Sequence, residues 1–155
     1  MKNTIRYIFL TIIVILLILA LVTDKWQTLS LKNNNIHTDI GLWKTCSVLE
    51  NEETTCHTTK LSDDRTWELY GIRIIAITGI ILVILSCILV NKDFNILIKS
   101  LSILSVCTVP FLYSVYMENY FSQEFDELML SKYNYSYYLQ SCGALMLIIT
   151  NLFLC

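Results

Sequence analysis

Two cysteines in a polar part of the chain, Cys46 and Cys56, are the residues best placed to do chemistry. They could form a disulfide, remain free thiols, or bind a metal with His57 and the more distant His37. The residues at 50–53 between them are all polar, which suits a turn joining two antiparallel strands. A metal site needs more ligands at close spacing. We therefore favour a disulfide, and this requires that the segment face an oxidising compartment.

Long apolar runs lie on both sides of this segment. The chain is 55% hydrophobic and only 15% charged, against roughly 25% charged residues in soluble domains. Its four apolar runs are each near the ~20 residues that cross a bilayer as a helix, and they fall at about residues 5–22, 71–90, 98–117 and 137–155. A cleaved signal peptide is the alternative for the first run, but that run is long and ends in a poor cleavage site.

The charged residues predict how the chain is oriented. Basic residues near helix ends favour the cytoplasm, and here they are Lys2, Arg6, Lys92 and Lys99. Of the 13 acidic residues, only Asp93 lies on the same side. We therefore expect a multi-pass protein of the plasma membrane with both termini in the cytoplasm. The loops at 23–70 and 118–136 would then be extracellular or lumenal, and 1–155 would form a single tetraspan domain.

The first loop is long enough to fold. Residues 27–31 alternate between polar and apolar types, which is a strand pattern. The asparagines at 33–35 favour a turn, and 36–48 and 54–61 suit further strands. The predicted fold class is thus an all-α transmembrane four-helix bundle with a small extracellular antiparallel sheet. A small sheet is marginal alone in water, so it needs support from the disulfide, the second loop or the membrane surface.

Catalytic functions find little support in the sequence. Quinone-linked thiol oxidases of the membrane need a Cys-x-x-Cys pair, and the sequence has none. It also lacks a phosphate-binding loop and an H-E-x-x-H motif. We expect no enzyme activity, no cofactor and no metal. The net charge of −2 and the lack of a basic run indicate no nucleic-acid partner.

The first loop resembles the signature of the claudin and peripheral myelin protein superfamily, W…GLW-x2-C-x8-10-C. The matching residues are Trp26, Gly41, Leu42, Trp43, Cys46 and Cys56. Arg73, at the head of the second helix, is similar to a basic residue that claudins carry there. We also expect Arg73 to pair with Glu68 or Glu118.

A second match precedes the fourth helix, where the residues at 132–139 resemble the corresponding stretch of the peripheral myelin and epithelial membrane proteins. The resemblance spans the whole chain, although its motifs cover only short stretches. Two departures stand out. Asn134 replaces a glycine of the relatives, and the only glycosylation sequon, at 134–136, lies next to the membrane rather than in the first loop.

The resemblance implies a left-handed four-helix bundle with a five-stranded sheet resting on its extracellular end. Both tryptophans would anchor that sheet, with simple interfacial anchoring as the alternative. The implied function is a structural or cell-contact role through self-association in one membrane or across two, with an influence on junctional permeability. The alternative is an auxiliary subunit that modulates a channel or receptor. The expected partners are the lipid bilayer, further copies or related tetraspan proteins, or that channel or receptor.

Two groups of residues could form a contact surface. Asp63 and Asp64 approach the second helix, where a solvated loop is the plainer interpretation. Phe121 and Phe125 have helical spacing and could extend the third helix beyond the membrane, either for contacts between molecules or for packing against the sheet. The first loop holds eight acidic and five basic residues and the second holds four and one, so each has a net charge of −3. A pore lined by these loops would prefer cations.

Overall fold

The computed structural model describes residues 2–31, 37–48, 54–58, 66–88, 92–124 and 129–153. Within these ranges the chain forms four helices and a five-stranded antiparallel sheet, which confirms the predicted fold class. The helices are α1 (Lys2–Val22), α2 (Thr66–Ile88), α3 (Lys92–Glu124) and α4 (Tyr135–Phe153). The strands are β1 (Gln27–Leu31), β2 (His37–Ile40), β3 (Lys44–Val48), β4 (Thr55–Thr58) and β5 (Met129–Tyr133).

The helices pack in a ring, with the most extensive contacts between α2 and α3 and between α1 and α4. The middle of the bundle is an apolar cluster from all four helices that includes Leu17, Val83, Val106 and Leu147. Gly143 lets α4 approach α1 closely, since a Cβ there would lie 2.9 Å from a side-chain carbon of Leu17. Small residues at such contacts are typical of helices that pack within membranes.

Among the described residues, three helices are long and apolar enough to cross a bilayer, over Thr4–Val22, Trp67–Ser86 and Ile96–Glu118. Helix α4 is not among them because polar side chains lower its hydropathy. Two of these side chains form hydrogen bonds within the helix itself. Ser141 Oγ donates to the Tyr137 carbonyl at 2.9 Å, and Asn151 Nδ2 donates to the Leu147 carbonyl at 2.8 Å. Polar groups that are bonded in this way can be accommodated among transmembrane helices.

Two helices are longer than their apolar runs predicted. Helix α2 begins at Thr66 rather than near 71, and α3 runs over 33 residues rather than over 98–117. At 1.5 Å per residue, α3 is about 50 Å long and exceeds the thickness of a bilayer core. Apolarity marks only the part of a helix that contacts lipid, so it could not locate the first turns of α2 and α3. The helical spacing of Phe121 and Phe125 did predict that α3 extends past residue 117.

Pro110 lies inside α3 and leaves one backbone carbonyl without its helical donor. That carbonyl belongs to Val106, four residues earlier. The buried side chain of Gln140, on α4, donates from Nε2 to the Val106 oxygen at 3.4 Å. A polar side chain of one helix thus replaces the hydrogen bond that proline removes from its neighbour.

The sheet lies at the end of the bundle where α1 ends and α2 begins. Its strand order is β4-β3-β2-β1-β5, and all neighbouring strands are antiparallel. Strand β5 comes from the second loop and pairs with β1, with Gln27 opposite Tyr133. The second loop therefore supplies part of the support that a small sheet from the first loop requires.

Candidate functional site

The candidate site is the junction between the sheet and the bundle, together with the outer strands that the junction holds in place. Cys46 and Cys56 stand directly opposite each other on β3 and β4 and form a disulfide, as predicted. All four side chains of β4 are exposed, so this strand gains little from apolar burial. Closing a loop of this size stabilises the fold by about 2.5–3 kcal/mol in the chain-entropy model. Among the described residues no cluster of side chains could hold a metal ion.

Gly41 and Leu42 form the turn between β2 and β3. The Gly41 N–H donates to the Lys44 carbonyl at 2.9 Å, which closes the turn. A Cβ on Gly41 would lie 2.6 Å from the Cα of Asp24, and that backbone atom cannot move aside as a flexible side chain could. Leu42 is fully buried in the apolar cluster at this end of the bundle. The turn therefore requires glycine for close approach and leucine for burial.

Trp26 is fully buried rather than placed at the lipid interface. Its indole Nε1 donates to the Ala20 carbonyl at 2.8 Å, and its ring lies 4.9 Å from the ring of Tyr113 between centroids. Its backbone N–H also bonds to the Ile40 carbonyl at 3.0 Å. Trp26 thus connects α1, β2 and α3 through one side chain and its own backbone.

Trp43 makes the same kind of hydrogen bond to the next residue of α1. Its indole Nε1 donates to the Leu21 carbonyl at 2.6 Å. The last four carbonyls of any helix lack intrahelical donors, and the last carbonyls of α1 lie next to the apolar bundle. Thr23 bonds to the Leu19 carbonyl through both its N–H and its hydroxyl. Thr23 and the two tryptophans therefore cap three consecutive carbonyls at the end of α1.

Arg73 joins α2 to the same assembly. Its side chain is only 3% exposed, and its Nε donates to the Leu42 carbonyl at 2.5 Å. The guanidinium lies over the rings of Trp43 and Tyr70, at 4.9 and 4.4 Å from their centroids. Such contacts help to compensate for burying a cation, and they strengthen where water is excluded.

The predicted ion pair of Arg73 with Glu68 or Glu118 is wrong. Neither carboxylate forms an ion pair with Arg73 in the described part of the chain, and Arg73 Nη2 has no hydrogen-bond partner there. A backbone carbonyl and two aromatic rings enclose the guanidinium, and this environment depends on how the Gly41–Leu42 turn folds. Charge and proximity in the sequence could not reveal it.

A profile of the PMP-22/EMP/MP20/Claudin family matches residues 4–154. The chain belongs to this family. The predicted resemblance is thereby confirmed, and with it a multi-pass membrane protein of a structural rather than an enzymatic family. No curated protein sequence matches the chain at a significant level.

In this member of the family, Asn134 has a role that the sequence did not reveal. Its Oδ1 accepts the Tyr135 N–H at 2.8 Å at the start of α4, and its Nδ2 donates to Thr28 Oγ1 at 2.8 Å. Its backbone N–H bonds to the Trp26 carbonyl at 2.9 Å. Asparagine directly before a helix is a common N-cap, which is the signal that could have identified it. Because the side-chain nitrogen is engaged, glycosylation of the sequon would disrupt the junction.

Tyr133, at the end of β5, extends the aromatic cluster of the junction. Its ring stacks on Tyr137 at 4.3 Å between centroids. Burial raises the pKa of the Tyr133 hydroxyl, its electrostatic interactions with Tyr137 and Glu118 raise it further, and a hydrogen bond with Ser114 acts in the opposite direction. The Tyr133 hydroxyl therefore stays neutral at physiological pH.

The side chains of the four predicted contact residues lie outside the described part of the chain. Asp63, Asp64 and Phe125 lie outside the described residues, and Phe121 lies in the last turns of α3, where only the backbone is described. Their contact role stays a prediction.

Proposed function

We propose that this protein is a structural component of cell contacts that associates with further copies of itself through its sheet. The sheet would face the outside of the plasma membrane, with both chain termini in the cytoplasm. This orientation is supported by the basic residues Lys2, Arg6, Lys92 and Lys99 at the opposite ends of the helices, since such residues favour the cytoplasmic side. The disulfide also suits an oxidising compartment.

The observation that carries the proposal is the attachment of the sheet to the bundle. Trp26, Trp43 and Arg73 bond to backbone carbonyls of α1 and of the Gly41–Leu42 turn from buried or half-buried positions. A sheet held in this way keeps one orientation relative to the membrane. Identical copies in one bilayer would then present the same edge at the same height, which favours ordered assembly.

Strand β4 is the edge best suited to contact another molecule. It is the last strand of the sheet, and in the described part of the chain no strand pairs with its outer side. An exposed strand edge carries unpaired backbone groups that can bond to another chain. The predicted contact residues Asp63, Asp64, Phe121 and Phe125 lie in the same two loops of the sequence as the strands. They are proposed to extend this contact surface.

An influence on permeability is the finer part of the proposal. Both outer loops carry a net charge of −3, and an acidic lining favours cations over anions. A layer of cells expressing the protein should therefore conduct sodium better than chloride. Chloride preference would contradict this part of the proposal without affecting self-association.

The alternative function is an auxiliary subunit of a membrane channel or receptor. Two differently tagged copies expressed in one cell, extracted in mild detergent and purified through one tag, distinguish the two functions. Self-association predicts that the second tag co-purifies. A stoichiometric foreign channel with only one tag would support the auxiliary role instead.

The same experiment can locate the contact. Thr58→Lys places a charge on the exposed edge strand and should reduce recovery of the second tag, because charged side chains block edge-to-edge pairing. His37→Lys makes a similar change at an exposed position on the interior strand β2 and serves as the matched control. Equal recovery with both variants would exclude the β4 edge as the contact.

A further inference from the structure

An open groove of about 320 Å³ runs between α2 and α3 near the sheet. Its walls include Ile75 and Leu112 at the deeper end, and Trp67, Glu68 and Tyr116 toward the sheet. Because α2 and α3 are antiparallel neighbours, the first turn of α2 and the later turns of α3 lie at the same height. The groove therefore has an apolar floor and a mouth of two aromatic rings and one carboxylate.

The depth of the mouth in the membrane follows from the apolar spans. The span of α2 begins at Trp67 and the span of α3 ends at Glu118. Trp67 and Glu68 thus lie at the level of lipid headgroups on the sheet side, while Ile75 lies about two helical turns deeper, at the level of acyl chains. Tryptophan is enriched at this interface, and the Trp67 side chain is 69% exposed.

Gly71 keeps the groove open. It lines the wall between Trp67 and Ile75 on α2, and a Cβ at this position would meet no atom within 4 Å. Glycine inside a helix costs about 0.5–1 kcal/mol relative to alanine. Gly79 and Gly143 admit a neighbouring helix at short distance, whereas Gly71 faces space that no described residue fills.

We propose that this groove binds one phospholipid with a choline headgroup from the leaflet on the sheet side. One acyl chain would lie over Gly71 between Ile75 and Leu112. The quaternary ammonium would sit at the mouth against the Trp67 and Tyr116 rings and beside the Glu68 carboxylate. Aromatic faces attract such cations. None of the described residues that line the groove is basic, so the charge of Glu68 favours a cation.

The test uses the full chain in nanodiscs that contain equal amounts of phosphatidylcholine and phosphatidylglycerol. After release into mild detergent, native mass spectrometry counts the lipids retained on each protein. The wild type should retain one lipid, mainly phosphatidylcholine. Equal retention of both lipids, or none of either, would overturn the proposal.

Two variants separate the headgroup from the chain. Glu68→Gln keeps the shape of the side chain and should lower the preference for phosphatidylcholine roughly fivefold, because the attraction between the carboxylate and the ammonium is lost. Gly71→Leu fills the groove and should abolish retention of both lipids. Thr78→Leu, at an exposed position further along α2 outside the groove, is the matched control and should change neither result.

A second copy of the chain is the competing occupant. If the wild type gives a lipid-free dimer that Gly71→Leu converts to a monomer, the groove is a protein contact and the lipid site is excluded. Thermal unfolding of each variant checks that it folds. If Gly71→Leu does not fold, Glu68→Gln still tests the proposal. An unchanged lipid preference in that variant would contradict it.

Discussion

The Leu21 carbonyl, at the end of the first transmembrane helix, accepts a hydrogen bond from the indole of Trp43 at 2.6 Å, across 22 residues of sequence. Trp26 does the same for the preceding carbonyl, that of Ala20. The two tryptophans of the family signature thus act as a C-terminal cap on α1. Because they belong to the segment that forms the sheet, capping the helix and attaching the sheet are one interaction.

This capping role predicts the effect of removing the indole N–H together with part of the ring. Trp43→Phe or Trp26→Phe should each destabilise the fold by at least about 1–3 kcal/mol, because a carbonyl at the end of α1 loses its donor and the smaller ring leaves space in the cluster. Thermal unfolding in detergent measures this. Trp67→Phe is the control, since Trp67 is 69% exposed, and should change stability by less than about 0.5 kcal/mol. Equal losses in all three variants would exclude a specific role for the caps.

Two glycines should respond in opposite ways to the same substitution. Gly41→Ala brings a methyl group against the Asp24 backbone and should cost at least about 1–3 kcal/mol. Gly71→Ala enters open space and should be neutral or stabilise α2 by up to about 1 kcal/mol. Unfolding temperatures and the amount of protein at the cell surface report both effects. A stable Gly41→Ala protein would mean that the β2–β3 turn can shift away from α1.

The hydrogen bond from Gln140 to Val106 should matter only because Pro110 is present. Gln140→Leu should cost about 0.5–2 kcal/mol. Pro110→Ala restores the missing N–H within α3, so Gln140→Leu should cost less in that background. A double-mutant cycle measures the difference. Additivity within about 0.3 kcal/mol would show that the two positions act independently.

The disulfide should hold the exposed outer strand β4. Replacing Cys46 and Cys56 together by serine should lower stability by about 2–4 kcal/mol, and reduction of the wild type with dithiothreitol should have a similar effect. Cys142→Ser, at an exposed free thiol on α4, is the control and should leave unfolding unchanged. If the double variant is as stable as the wild type, the backbone hydrogen bonds to β3 are sufficient to hold β4.

The bundle and the disulfide were predictable from the sequence because both leave local signals. Apolar runs near 20 residues long indicated the helices, and Cys46 and Cys56 stood at a spacing that fits paired strands. The true start of α2 at Thr66 was not predictable, since Thr66 and Glu68 interrupt the apolar pattern in its first turn.

The junction was not predictable in the same way. The bonds of Trp43 to Leu21, Arg73 to Leu42 and Gln140 to Val106 join residues that are 22, 31 and 34 positions apart. No periodicity marks such pairs, because each depends on where the tertiary fold leaves a carbonyl without a donor. The resemblance identified Trp26, Trp43 and Arg73 as framework residues, but only the structure shows which carbonyl each one satisfies.

Freeze-fracture electron microscopy of contacting cells tests the proposed self-association most directly. Cells that express the wild type or His37→Lys should show ordered rows of intramembrane particles at their contacts. Cells that express Thr58→Lys at the same surface density should show far fewer rows. Dispersed single particles in all three cases would contradict self-association as the function of this protein.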